Sequence, residues 1–324
     1  MDLEHNIRRT DLFCDGKVIS PALASHIFST KTKLINAFCI KEESFYIYND
    51  GIGIYVEVPK IQLIAGLRNV YFELSLGEKL TKKFLTDLYW FIVLEKFQKE
   101  LRIDSHMVTF RNGHFNMNTG TFIKGFSSDI VSISRINVDF YKGCKYETFM
   151  KLLDANFGGD QKEFLRFFLH AMIIGENESQ IFLYILGTGG TGKSTLLNVM
   201  SMLVGEGSCV STTLHFMSAD KFEVANLIGK RLLSIADAPV YTGELAVLKA
   251  LTGGDPLPIR LKHQNFSKDY ICRGKLVITG NYPLQTRDSS GAIARRMRVL
   301  EMGYKPKKKI PLLYRNQEGS WDGP

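Results

Sequence analysis

The segment Ile185–Leu197, ILGTGGTGKSTLL, decides the fold of the second half of this chain. Its glycine-rich centre lies between the apolar run IFLYIL (181–186) and a helix-forming run, and Lys193 marks the junction. The octet from Gly187 to Ser194 fits the pattern GxxxxGK[ST], with a predicted strand before it and a predicted helix after it. We therefore predict a loop that holds phosphate groups at the amino end of a helix.

The residue types in this loop suit a nucleoside triphosphate. Glycines let backbone N–H groups turn toward a β-phosphate, and the helix end adds a partial positive charge. Lys193 is expected to reach the β- and γ-phosphates, and the Ser194 hydroxyl is expected to ligate Mg²⁺. The alternative is a glycine-rich turn without a ligand. The predicted nucleotide-binding residues are Gly187, Thr188, Gly189, Gly190, Thr191, Gly192, Lys193, Ser194 and Thr195.

Length and composition restrict the class of protein. The 324 residues are 45% hydrophobic, which is enough for one or two folded domains. Lys plus Arg number 41 against 33 for Asp plus Glu, so the formal charge of +8 favours a polyanionic partner. The five cysteines form no CxxC pair, which argues against a metal or disulfide framework. Without a signal-like start or an apolar run of about 20 residues, we expect a soluble intracellular protein with no membrane partner.

Strands and helices alternate after residue 180, which predicts an α/β fold: a parallel sheet with helices on both faces. The predicted elements are strand 181–186, helix Lys193–Leu203, strand 231–236, helix Glu244–Leu251, strand 275–280 and strand 297–302.

The first half of the chain predicts a smaller mixed α+β domain. Its predicted elements are a hairpin over Ser44–Val58, a helix over Leu80–Leu101, short strands over Met107–Ile123 broken at Asn112-Gly113 and Thr119-Gly120, and two helices ending at Gly158 and Gly175. We predict domains over 1–175 and 176–303, followed by a basic, partly disordered tail over 304–324.

Two polar residues end predicted strands of the second domain. Asp237 ends the strand RLLSIA, which we expect beside the first strand, where a carboxylate can hold Mg²⁺ through water. Alternatively it caps a turn before Pro239. Asn281 ends the strand KLVITG and can position an attacking water, although a lone Asn is otherwise a turn former. The predicted metal ligands are Ser194 and Asp237.

Two groups of cations accompany these strands. Arg260, Lys262 and His263 lie in a predicted hairpin after Gly254, where they suit a contact to single-stranded nucleic acid. The alternative is a solvated charged hairpin. Arg295 and Arg296 precede the last strand, where an arginine can face the γ-phosphate of a neighbouring subunit or form a surface ion pair.

Taken in order, five segments resemble the motifs of superfamily III helicases, above all the helicase half of phage and plasmid replication primase-helicases. The segments are GTGGTGKST, GKRLLSIADAP, LKALTGGDPLPIRLKHQNF, KLVITGNYP and AIARRMRVLEM. The resemblance implies an AAA+-like P-loop fold and an ATP- and Mg²⁺-dependent DNA helicase. It also implies a homo-oligomeric ring, often a hexamer, that acts on single-stranded or forked DNA.

The resemblance also implies a role for individual residues. The matches are Lys193 and Ser194 for phosphate and Mg²⁺, Asp237 for the acidic position, Lys262 and His263 for the DNA hairpin, Asn281 for the sensor, and Arg295 or Arg296 for the arginine finger. One departure concerns the general base: many members have a second carboxylate after the acidic position, where this chain has Ala238. Three alternatives follow: Asp237 both holds Mg²⁺ and acts as the general base, another residue such as Glu244 supplies the base, or hydrolysis is slow.

Two further departures concern length. The front of the chain is too short for the primase domain usual in the family. The sequence GSWDGP resembles the start of a segment that in the family continues into a C-terminal helical portion, and we expect that portion to be missing here. Two alternatives to a helicase follow: a weak or inactive ATP- and DNA-binding remnant, and, more remotely, a P-loop kinase. The guanine-reading NKxD sequence of GTPases does not occur.

Overall fold

The computed structural model describes residues 7–15, 17–31, 34–38, 43–95, 97–98, 103–143, 146–215, 224, 226–227, 229–238, 246–260, 267–284 and 291–306. Two compact units make up the chain. The first unit contains Met1–Asp104 and Gly125–Ile133, and the second contains Ser105–Lys124 and Ser134–Pro324. The segment 175–180 lies within the second unit.

The first unit packs helices against a four-stranded sheet of order β5-β4-β3-β6. Its elements are α1 (Arg9–Leu12), β1 (Phe13–Cys14), β2 (Lys17–Val18), α2 (Pro21–Lys31), β3 (Leu34–Phe38), β4 (Glu43–Asn49), β5 (Ile54–Val58), α3 (Lys60–Glu73), a 3-10 turn (Gly77–Lys79), α4 (Lys82–Glu95) and β6 (Phe97–Gln98). The antiparallel pair β4–β5 confirms the hairpin predicted over Ser44–Val58.

The helix predicted over Leu80–Leu101 is too long at its carboxyl end. The structure ends the helix at Glu95, and Phe97 and Gln98 instead pair with β3 in parallel. A strand partner satisfies the backbone groups of this segment, so its local helical pattern is overridden by tertiary pairing.

The second unit begins with a four-stranded sheet and a helix pair. These elements are β7 (Met107–Phe110), β8 (Gly113–Asn116), β9 (Thr121–Lys124), β10 (Arg135–Ile136), α5 (Glu147–Asn156) and α6 (Gly159–Ile174). The structure confirms both predicted helices and the strand breaks predicted at Asn112-Gly113 and Thr119-Gly120. Gly175 ends α6 with a left-handed φ of 72°, a conformation that glycine adopts without steric cost.

A five-stranded parallel sheet of order β12-β13-β16-β11-β17 follows. The remaining elements are β11 (Phe182–Leu186), α7 (Lys193–Val204), a 3-10 turn (Glu206–Ser208), β12 (Cys209–Ser211), β13 (Leu232–Ile235), α8 (Ala246–Gly253), β14 (Leu257–Arg260), β15 (Ser267–Tyr270), β16 (Lys275–Gly280), α9 (Ala292–Arg296) and β17 (Met297–Glu301). The mixed α/β class and the parallel sheet predicted from the sequence are confirmed. The edge strand β12 was not predicted, because three residues carry too little periodicity.

One neighbour relation differs from the prediction. Strand β13, which leads to Asp237, does not lie beside β11, because β16 lies between them. The sequence gives the strands but not their spatial order, and a strand late in the chain takes the central position.

The centre of this sheet is buried on both faces. Leu183 and Ile185 of β11 pack with residues of α5, α6 and α7 in one apolar cluster, and Phe182 and Tyr184 are buried on the opposite side. Continuous burial of this kind is typical of parallel strands and explains the uninterrupted apolar run in the sequence. None of the helices that the structure describes combines the length and apolar character needed to cross a bilayer.

Candidate functional site

The loop of residues 187–192 joins β11 to α7 at the carboxyl edge of the parallel sheet. Gly190 and Gly192 have left-handed φ angles of 85° and 94°, which favour glycine. A Cβ at Gly187 would lie less than 3.0 Å from the backbone carbonyl oxygen of Met302, just after β17. Glycine is therefore required at 187 for close approach and at 190 and 192 for backbone conformation.

Lys193 is the first residue of α7, and its side chain turns back into the loop. The residue is only 6% exposed, and its Nζ donates to Gly187 O at 2.6 Å, Thr188 O at 3.1 Å and Asn281 Oδ1 at 2.9 Å. An ammonium group has three protons, and three acceptors surround this one. The lysine charge is thus held on the inner side of the loop.

The rim of the loop is open to solvent. Thr188, Gly189, Gly190 and Ser194 are exposed, at the amino end of a twelve-residue helix whose dipole is positive there. Thr191 is buried and its Oγ1 donates to Thr188 O at 2.9 Å, which fixes the shape of the loop from inside. Exposed backbone and a positive helix end form a surface suited to an anion.

Asp237 follows β13 at the same edge and is exposed. Its φ of 46° is left-handed, a conformation that Asp tolerates better than most residues. Its N–H donates to Thr279 Oγ1 at 3.0 Å, and the Ala238 N–H donates to Thr279 O at 2.8 Å. Thr279, buried in β16, therefore fixes the chain at Asp237. Sequence reasoning missed it, although it is the single hydroxyl residue in β16.

Asn281 follows β16 directly and contacts Lys193 through the hydrogen bond given above. The chain beyond it is anchored by Tyr184 of β11, whose hydroxyl donates to Tyr282 O. A Cβ at Gly280 would lie less than 3.0 Å from that hydroxyl oxygen, so the two strands meet closely here. The structure therefore brings Lys193 and Asn281 together and places Asp237 at the same edge.

Arg295 and Arg296 lie elsewhere. They end α9 just before β17, and β17 runs parallel to β11 with Met297 opposite Phe182 and Glu301 opposite Leu186. The loop follows the carboxyl end of β11, so the arginines lie at the amino end, a strand length of about 13 Å away. Arg295 is exposed, whereas Arg296 is 8% exposed and its Nη1 donates to Ala292 O at 3.1 Å.

The predicted hairpin is present as β14 and β15, paired antiparallel from Leu257–Tyr270 to Arg260–Ser267. The backbone of Arg260 forms the last pair before the tip. Its side chain, together with Lys262 and His263, lies outside the described residues, as does Glu244.

A second buried lysine lies at the amino edge of the same sheet. Lys275, the first residue of β16, is 1% exposed, and its Nζ donates to Ser179 Oγ at 2.6 Å and Asn177 Oδ1 at 3.3 Å. Burial lowers the pKa of Lys275 to about 8, although the Glu176 carboxylate acts in the opposite direction. Asn177 and Gln180 also donate to Leu251 O and Gly253 O at the end of α8. Sequence reasoning missed this cluster.

Metal binding at the site would depend on few protein ligands. In the part of the chain that the structure describes, no group of three or more His, Cys, Asp or Glu side chains is arranged to hold a metal ion. Ser194 and Asp237 are both exposed and offer oxygen ligands at the carboxyl edge. This arrangement fits Mg²⁺, which keeps several waters and shares its coordination with phosphate oxygens.

Comparisons of the sequence relate parts of this chain to proteins of unknown function. Residues 185–296, less than half of the chain, match a family of unknown function (DUF5906). Two uncharacterized mitochondrial proteins of Marchantia polymorpha, ymf20 and ymf21, are each 41% identical to the chain, over 68 and 73 residues. These matches span 21% and 22% of this chain and 41% of each relative.

Solved structures of the NrS-1 C-terminal region are similar in fold. An A form apo structure is 18% identical with a TM-score of 0.56, and covers 91% of this chain and 65% of that one. Another apo structure is 16% identical with a TM-score of 0.55, covering 88% and 62%. The chain thus spans less than two thirds of these structures, and at this identity the likeness concerns the fold alone.

Proposed function

We propose that this chain is an ATP-dependent DNA helicase or translocase of a phage- or plasmid-type replication system, which couples ATP hydrolysis to movement along single-stranded DNA. The observation that carries the proposal is the 2.9 Å hydrogen bond between Lys193 Nζ and Asn281 Oδ1. It joins the glycine loop after β11 to the end of the central strand β16, two positions that in superfamily III helicases act on the γ-phosphate.

The nucleotide would bind on the open rim of the 187–192 loop. Backbone N–H groups and the amino end of α7 would hold the β-phosphate, and Lys193 would hold the β- and γ-phosphates. Ser194 would ligate Mg²⁺, and Asp237 would hold the ion through water. The metal supplies charge neutralisation on the phosphates. Thr279 would position Asp237 for this task.

Asn281 would position the attacking water. Its Oδ1 accepts from Lys193, so the amide orientation is fixed and its N–H₂ group is left to face the water. In this proposal Asp237 would accept the proton of that water. A second function, ATP and DNA binding without turnover, is favoured by Ala238, because a second carboxylate is missing at the position after Asp237.

The position of the arginines favours a homo-oligomeric ring. Arg295 is exposed but lies at the edge of the sheet opposite the loop, so it would act on the γ-phosphate bound by a neighbouring subunit. Arg296 is largely buried and less suited to this role. The hairpin of β14 and β15 would carry Arg260, Lys262 and His263 toward the DNA.

Unwinding of a tailed duplex tests the whole proposal. Strand release should require hydrolysable ATP and should stop with a non-hydrolysable analogue. Lys262→Ala should retain basal ATP turnover but lose its response to single-stranded DNA. Full stimulation by DNA in that variant would show that the hairpin does not contact the DNA. DNA binding by the wild type without ATP turnover would support the second function.

Mixing of variants tests the shared site. Lys193→Ala and Arg295→Ala should each be inactive, and co-expression of both chains should restore part of the turnover, since mixed interfaces pair an intact Lys193 with an intact Arg295. Arg296→Ala should not be complemented if its role is structural. Failure of the Lys193 and Arg295 variants to complement each other would contradict the trans role of Arg295.

We also propose that the protein acts inside a cell or an organelle. A bacterial or phage-host cytoplasm and an organelle both suit a replication protein, and the mitochondrial relatives favour the organelle.

A further inference from the structure

We propose that a groove in the first unit is a binding site for single-stranded DNA, separate from the β14–β15 hairpin. The groove has a volume of about 550 Å³ and is formed by α3, α4 and the turn between them. Its volume lies in the range of ligand pockets and admits a nucleotide-sized group. Nothing in the proposed ATP site uses these residues.

The charge of the groove favours an anion. Among the described residues that line it are three cations, Lys60, Arg68 and Lys82, and no carboxylate. All three cations are exposed, and no ion pair of the described residues engages them. An acidic ligand would therefore meet cations that are not already neutralised, in a chain whose formal charge is +8.

Aromatic rings accompany these cations. Phe72 and Trp90 line the groove and are each 50% exposed. The Arg68 guanidinium lies 4.2 Å from the Phe72 ring centroid, and the Lys60 ammonium lies 4.4 Å from the Tyr89 centroid and 5.7 Å from that of Trp90. These contacts hold the cations beside the rings at short range.

Cations interleaved with exposed rings match the requirements of a single strand of nucleic acid. Bases stack on aromatic faces while phosphates contact Lys and Arg, and neither contact depends on base identity. An acidic peptide would satisfy the cations but would bring no base to stack on the half-exposed rings. The choice of DNA over RNA rests on the proposed function, whereas the stacking and phosphate contacts do not.

The chain offers a direct optical test, because it has two tryptophans, Trp90 and Trp321. In the 324-residue chain carrying Trp321→Phe, the emission reports on Trp90 alone. An oligothymidylate of about ten nucleotides, added without ATP, should quench this emission in a saturable manner. The affinity should fall as salt rises from 50 to 200 mM, as expected for contacts to phosphates.

Matched variants locate the contact. Lys82→Ala should weaken binding at least threefold and lower the salt dependence, whereas Lys83→Ala, the same change at an exposed neighbour outside the groove, should leave both unchanged. Phe72→Leu should weaken binding about fivefold or more if a base stacks there. Phe91→Leu, at a 42% exposed ring outside the groove, is its control.

Three outcomes would overturn the proposal. These are unchanged Trp90 emission with DNA, a response to a glutamate-rich peptide in place of DNA, and tighter binding of oligouridylate than of oligothymidylate. Since no ATP is present, a negative result here is independent of the ATPase test. Absence of ATP turnover together with intact quenching of Trp90 emission by DNA would instead contradict the proposed function alone.

Discussion

The two edges of the parallel sheet each hold a buried lysine, and the two lysines differ in what surrounds them. At the carboxyl edge, Lys193 is held by loop carbonyls and Asn281 beneath an exposed glycine rim. At the amino edge, Lys275 is enclosed by the side chains of Ser179 and Asn177, and Asn177 in turn donates to Leu251 O at the end of α8. The same residue type therefore contacts an exposed loop in one place and a buried cluster of side chains in the other.

The strongest test of this contrast is removal of each charge. Under the proposed function, Lys193→Ala should reduce ATP turnover by about 10²–10³-fold or more, because it removes the charge expected to contact the transferred phosphate. Lys275→Met should keep turnover per folded molecule, since Lys275 lies at the opposite edge. Steady-state hydrolysis and thermal unfolding measured on both variants distinguish the roles. Equal loss of turnover in the two variants would break the comparison.

Alkaline pH should reveal the buried charge of Lys275. Its pKa falls from 10.5 to about 8 on folding, so between these values the unfolded chain binds more protons than the folded one. The contribution of Lys275 to stability should therefore rise with pH through this window, by about 3 kcal/mol in all. Below pH 8 its contribution should be constant.

Chemical denaturation of wild type and Lys275→Met at several pH values measures this effect. The unfolding free energy of wild type minus that of Lys275→Met should increase from pH 8 to 10.5. Other groups that titrate at alkaline pH are present in both proteins, so their contributions cancel in this difference. A difference that stays constant across the window would contradict a lowered pKa.

Two glycines of the same loop sharpen the description of the carboxyl edge. Gly187→Ala should destabilise the protein by about 1–3 kcal/mol, because the new Cβ would press against the Met302 carbonyl, a backbone atom that cannot rotate away. Gly189→Ala should change stability little, since a Cβ there meets no atom within 4 Å. Denaturant melts of both variants provide the comparison, and equal stabilities would refute the close approach.

The smallest effect concerns Thr279. Thr279→Val removes the oxygen that accepts from the Asp237 N–H, at a cost of about 1 kcal/mol. Turnover should fall several-fold and the Mg²⁺ concentration needed for half-maximal rate should rise. Thr279→Ser keeps the hydroxyl and should stay close to wild type. If valine and serine behave alike, the threonine does not position Asp237.

The sequence alone predicts much of the carboxyl edge and little of the amino edge. The spacing from Gly187 to Ser194 is a local pattern, so the loop and the helix that follows could be predicted from it. The position of β16 between β13 and β11 depends on tertiary pairing. The hydrogen bonds that Thr279 accepts and that Lys275 donates also join residues far apart in the chain. Such long-range contacts leave no local periodicity. The structure confirms the hairpin strands, whereas the DNA contact of Lys262 and His263, which lie outside the described residues, stays a prediction.

The most direct measurement is steady-state ATP hydrolysis with and without single-stranded DNA, with Lys193→Ala as the blank. We expect turnover above the blank, stimulation by DNA, and weaker stimulation at high salt, because phosphate contacts release counterions. ATP bound without turnover above the blank, with or without DNA, would contradict a motor and leave a binding protein.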